Sequence, residues 1–267
     1  MPRRIIISLV VIALGAWAQN SLLRASPPIG AVVQTWSYDP VTNLVTLKIV
    51  NTSHKDITAF NITHKETYAD GRVEQGELLE ELIGKIMIAK ELQGDTSRGA
   101  EYFRKVHGDG AFHPGEVRDE KLGVQPGLKD FQAVIDVVTY SDGTADANNN
   151  DALGRIVDER QATVASQKII TDAIQAALAD PNDPEPSMTA AKKIQDRATI
   201  WKAQRHTKLD LDTGHLEALA NEIKSVSSRS ANSNDKRAAL QQIVSQEEVR
   251  LSVLSPQAAP VKTGGQQ

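Results

Sequence analysis

Cysteine is absent from the 267 residues. That removes disulfides, thiolate zinc sites, a cysteine nucleophile and a lipoprotein anchor in one step. Aromatic residues make up only 4% of the chain, so a core must be built mainly from Val, Ile, Leu and Ala. There is no basic stripe and the net charge is -4. Nucleic acid is therefore not an expected partner, because neutralising phosphate takes clustered Lys and Arg. Also missing are G-x-S-x-G, H-E-x-x-H and a Gly-rich phosphate loop. Ser141, Ser166 and Ser187 lack a lysine three positions on. The expectation is a chain with no catalytic, metal-binding or cofactor-binding residues.

The N-terminus carries an address. Arg3 and Arg4 precede an apolar run from Ile5 to Leu14, and Ala16-Trp17-Ala18 has the small-x-small form of a cleavage site. These read as a signal peptide over residues 1–18. The alternative is an N-terminal membrane anchor, but the run is shorter than the roughly 20 residues that span a bilayer. No stable membrane span is expected after cleavage. The chain would then be periplasmic or extracellular, with a polar leader over 19–30.

Hydropathy patterning divides the rest. Ala31–Tyr38, Leu44–Val50 and Ile57–Tyr68 have the period-two alternation or strand-forming content of half-buried strands. The latter two are expected to pair antiparallel, with Asp70-Gly71 as a hairpin turn. Leu78, Leu79, Leu82, Ile83, Ile86, Met87 and Leu92 fall at helical spacing, which predicts a helix over Glu77–Leu92 ended by Gly94. Residues 95–110 read as irregular. Val117–Val124 and Phe131–Tyr140 read as strands. From Asn148 the chain turns helical: a long helix to Ala179, then helices around Met188–Trp201, Leu216–Val226 and Leu240–Leu251. Ser227–Asn234 reads as a linker and residues 255–267 as a disordered tail.

The order Asn51-Thr52-Ser53, Asp56-Ile57-Thr58-Ala59-Phe60, Tyr68-Ala69-Asp70-Gly71 and Pro114-Gly115-Glu116 resembles the FxLYD-type bacterial immunoglobulin-like domains. The resemblance covers Ala31 to Thr144 at most. It implies a sandwich of roughly seven antiparallel strands and a binding or scaffold role without catalytic residues. The helix over 77–92 departs from that pattern. The expected fold class is α+β: an immunoglobulin-like β-sandwich over 31–144 with an inserted helix, then a helical region over 145–254.

Histidines and adjacent carboxylates are the candidate chemical groups. His54 and His64 would meet if their strands formed a hairpin, and His107 and His113 share an acidic loop. Glu80-Glu81, Asp119-Glu120 and Glu247-Glu248 are neighbours that diverge in a regular element. The sequons at Asn51 and Asn61 read as ordinary turn and strand residues in a bacterial chain. The predicted helix is apolar over much of its circumference, which marks burial between layers or a partner surface. Leu79, Ile83 and Met87 are the candidate partner surface. The functional expectation is an exported, non-catalytic binding or scaffold module with a protein or envelope-polymer partner. The alternative is an exported hydrolase with a dispersed carboxylate and histidine site.

Overall fold

A computed structural model describes residues 29–203, 213–229, 232–258 and 262–263. The proposed signal peptide and nearly all of the leader lie outside the described residues. So do positions 230–231 of the expected linker.

The chain is α+β. Its strands are β1 (Ala31–Asp39), β2 (Leu44–Asn51), β3 (Ile57–Tyr68), β4 (Val73–Glu81), β5 (Val117–Gly123), β6 (Leu128–Tyr140), β7 (Thr144–Ala147) and β8 (Lys262–Thr263). Its helices are α1 (Ile83–Glu91), α2 (Arg98–His107), α3 (Asn150–Leu178), α4 (Pro186–Ala203), α5 (Thr213–Arg229) and α6 (Ser233–Leu254). The strands form a three-stranded sheet in the order β1-β2-β5 and a five-stranded sheet in the order β4-β3-β6-β7-β8. All pairings are antiparallel except β7 with β8. Among the described residues no helix is long and apolar enough to cross a membrane.

Alternation builds the first core. Val45, Leu47 and Ile49 turn one face of β2 inward, and Phe60, Ile62, Phe131, Ile135 and Val138 answer from β3 and β6. The expected pairing of Leu44–Val50 with Ile57–Tyr68 does not occur. β2 pairs with β1 and β5, and β3 pairs with β4 and β6. The loop between them carries the chain from one sheet to the other. Asn51 fixes that crossing: its Nδ2 donates to Phe112 O (2.7 Å) and Lys55 O (2.9 Å), and its Oδ1 accepts from Ser53.

The five-stranded sheet is covered on both faces. Ala59, Val137 and Ala145 on its outer face pack against Ala152, Leu153 and Ile156 of α3. Asn149 caps α3 by accepting from Ala152 N (3.0 Å), and its Nδ2 donates to Asp136 Oδ2 (3.0 Å) on β6. The far half of α3 turns to a third cluster, with Ile170, Ile174 and Ala177 against Ile194, Leu216, Ile223 and Leu240. One 29-residue helix, about 43 Å long at 1.5 Å per residue, thus joins the β half to the helical half.

Double coverage corrects the helix expected over Glu77–Leu92. Residues 77–81 belong to β4, and the helix starts only at Ile83. Leu78 packs into the core between the sheets while Leu79 packs toward α3. A strand buried on both faces has apolar neighbours in sequence, and periodicity alone does not separate that from a helix. Four further expectations change. Residues 98–107 are helical. β7 carries the sheet to Ala147, past the boundary expected at 144. α5 runs to Arg229 and α6 begins at Ser233, so little of the linker remains. The tail is ordered as far as it is described: Ser255–Gln257 forms a 3-10 turn, Gln257 and Ala258 are buried, and β8 joins β7.

Candidate functional site

A cleft of about 870 Å³ opens between α1, α2 and the end of α6. Its size is within the range of ligand pockets. Short-range chemistry positions its walls. α1 starts where Leu82 N donates to Thr58 O (2.9 Å) and Ile83 N donates to Glu81 Oε1 (3.0 Å). A carboxylate suits a helix N-terminus, where unpaired N–H groups point outward. Gly94, at φ +83°, turns the chain after α1. Ser97 caps α2 through Ala100 N (3.3 Å). Arg104 then reaches back from α2 to Leu92 O (3.0 Å) and Asp95 O (2.8 Å), which clamps the two helices. α6 is tied to α1 by Arg250, which pairs with Glu91 and with buried Glu247.

Apolar surface dominates the walls, with Ile83, Ile86 and Ala89 on one side and Val253 and Pro256 on the other. Thr58, Ser141 and Gln257 line the same space, as do the charged residues Asp56, Lys90, Asp95 and Asp109.

Beneath Thr58 and Gln257 lies a buried guanidinium. Arg160, on α3, is 3% exposed. It makes a bidentate pair with Glu81 (2.9 and 3.1 Å) and donates to Thr139 Oγ1 (2.9 Å), Thr58 Oγ1 (3.3 Å) and Gln257 Oε1 (3.4 Å). Gln257 in turn donates to Ser141 O. Burial pushes the Glu81 carboxyl above its ordinary value, with Arg160 pulling the other way. The node joins β3, β4, β6, α3 and the C-terminal turn.

At the rim, His113 bridges Asp56 (Nδ1 to Oδ1, 2.8 Å) and Asp109 (Nε2 to Oδ1, 2.9 Å). The hydrogen bond to Asp56 raises its pKa most, and Asp109 adds to the rise. A raised folded-state pKa contributes stability that is complete below the unfolded value near 6.5. That contribution fades as pH climbs through the folded value. His113 is about half exposed, so the contribution should stay within about 1 kcal/mol. Thermal unfolding of wild type and His113→Ala from pH 5 to 9 should differ most below pH 6.5 and converge as pH rises through the higher folded-state value. A gap that widens with pH would contradict the bridge.

The other singled-out residues scatter. Leu79 lies on β4 toward α3, Ile83 is buried and lines the cleft, and half-buried Met87 sits with its Sδ 4.0 Å from Gln167 Nε2. They do not form one exposed stripe. The hairpin on which His54 and His64 were to meet does not form. His64 is buried, 3.1 Å from Glu66 and stacked on Phe131. His107 ends α2, and both His107 and His113 line a smaller polar groove of about 540 Å³ with Lys85, Glu116 and Glu120. The adjacent carboxylates diverge: Glu80 pairs with Lys85 and Glu81 with Arg160, while Glu247 is buried and Glu248 exposed. Among the described residues, no group of three or more His, Asp and Glu is arranged to hold a metal ion. His206 lies outside the described residues.

Sequence reasoning passed over the Arg160 node, Gln257 and a Ser-x-x-Lys spacing at Ser233 and Lys236. The last is spent on structure: Ser233 donates to Asp183 O (3.4 Å) and Lys236 pairs with Glu185 (2.6 Å). An arginine between Ala162 and Ile156 on the apolar side of a long helix was the available signal for the node.

No protein-family model matches the chain, and no curated protein matches it. Among solved structures, a hypothetical protein from Peptoclostridium difficile 630 aligns at 12% identity over 48% of this chain and 88% of that chain, with a TM-score of 0.26.

Proposed function

We propose that the chain is an exported, non-catalytic binding or scaffold module of the bacterial cell envelope, working through the cleft between α1, α2 and the end of α6. The observation that carries this is the make-up of the cleft. Its walls are mostly apolar surface, its polar floor is already hydrogen-bonded, and its carboxylates Asp56 and Asp109 are bridged by His113. Such a surface suits an apolar side chain or chain segment of a partner rather than bond-breaking chemistry. The β half is read as an immunoglobulin-like sandwich. Two sheets sharing one core, with consecutive strands β2 and β3 in opposite sheets, support that reading. The hydrolase alternative would rest on Asp56, Asp109 and His113, and those side chains are engaged with one another.

Ala89 lines the cleft on α1 and is half-buried. An Ala89→Trp variant should fill it while leaving the helix formed. Affinity capture from the organism's own envelope fraction should recover a specific partner with wild type and lose it with the variant, at unchanged thermal stability. Equal recovery by both proteins, or no specific partner with wild type, counts against the cleft.

A further inference from the structure

A sheet edge exposes unpaired N–H and C=O groups, and proteins guard such edges with charge, shortness or cover. The two sheets have four edges, β1, β5, β4 and β8. β5 carries four consecutive charges, Arg118 to Lys121. β4 carries Glu74, Glu77, Glu80 and Glu81 and no base, so two copies of it would oppose like charges. β8 is two residues long. β1 differs from all three. From Ala31 to Tyr38 it has no charge, no proline and no glycine, and it is rich in the strand formers Val, Thr, Trp and Tyr. Among the described residues it pairs on one side only, with β2.

We propose that β1 is the interface for a second copy of this chain, added antiparallel about a two-fold axis normal to the sheet. An uncharged strand is compatible with itself where an acidic one is not, and a two-fold interface must be self-complementary. The regular stretch is Thr35–Asp39, beyond the irregularity at Gln34. Within it, Trp36 lies opposite Leu47 on the core side and packs tilted on Phe131 (5.6 Å), yet remains 39% exposed. Centring the axis on Trp36 sets the two indoles opposite each other, a favourable cross-strand aromatic pair. It also sets Thr35 opposite Ser37 of the second copy on the solvent side. β7 is no obstacle, because it pairs with β6 only at Val137–Thr139. β1 leans on β6 at this point, where Trp36 covers buried Phe131.

Sedimentation of the purified chain across a concentration series tests this. Wild type should form a reversible dimer. Thr35→Glu/Ser37→Glu sets carboxylates against each other twice and should raise the dimer dissociation constant at least tenfold. Thr35→Lys/Ser37→Glu sets opposite charges in the same register and should restore dimerisation. Thermal unfolding monitors folding of each variant. Wild type that remains monomeric overturns the proposal. So does a dimer indifferent to the double glutamate variant, or one not restored by the charge-paired variant.

Discussion

Arg160→Ala should lower the stability of the protein by about 3 kcal/mol or more, because breaking a buried ion pair from one side strands the remaining charge. The stranded charge is Glu81, which keeps only Ile83 N as a donor, while Thr58, Thr139 and Gln257 lose the guanidinium but retain one another. Chemical denaturation at pH 7 measures the loss. The deficit should also depend on pH. Burial already holds the folded-state pKa of Glu81 above its ordinary value, and removing the guanidinium raises it further. A carboxyl whose folded-state pKa is raised destabilises the fold as pH rises through that value, and it costs least when protonated. The gap between variant and wild type should therefore shrink toward pH 5. A gap that is constant or grows in acid would show that Glu81 is not the group left unpaired.

Gly110→Ala should be nearly as damaging, by about 2–5 kcal/mol from backbone strain and overpacking together. Gly110 has φ +85°. A Cβ there would lie 2.5 Å from Ile86 N and 2.5 Å from the carbonyl carbon of Lys85. Both contacts are backbone of α1, so the helix that walls the cleft would have to move. Gly115→Ala is the control, since Gly115 also has positive φ (+74°) but nothing lies within 4 Å of its Cβ direction. Gly115→Ala should show the conformational strain alone. Equal losses at the two positions would mean that the close approach to α1 is not important.

Most of the elements were legible because a local pattern carried them. Val45, Leu47 and Ile49 alternate, Asn149 stands at a helix start, and the apolar residues of α3 recur at helical spacing. What was not legible lay in the partners. Nothing local in Leu44–Val50 says that its neighbour in space is β5 rather than β3. Leu78 and Leu79 look helical because two different layers cover the two faces of β4. Gln257 sits in a Pro/Gln/Gly-rich tail whose composition suggests disorder, and only the distant Arg160 and Ser141 give it a place. The cleft was invisible for the same reason, since its walls come from α1, α2 and α6, widely separated in the chain. Of the proposed surface residues only Ile83 lies on it.

The reach of Gln257 has a consequence for how the molecule comes into being. Thr58 and Gln257 stand 199 positions apart and touch in the finished fold. The sheets and α3 can assemble as the chain emerges, N-terminal parts first. The guanidinium of Arg160 lacks its last acceptor until the chain has been made as far as Gln257. The turn after α6 thus acts as a late lock: a chain cut short after α6 would fold around a polar gap, and Gln257 closes it.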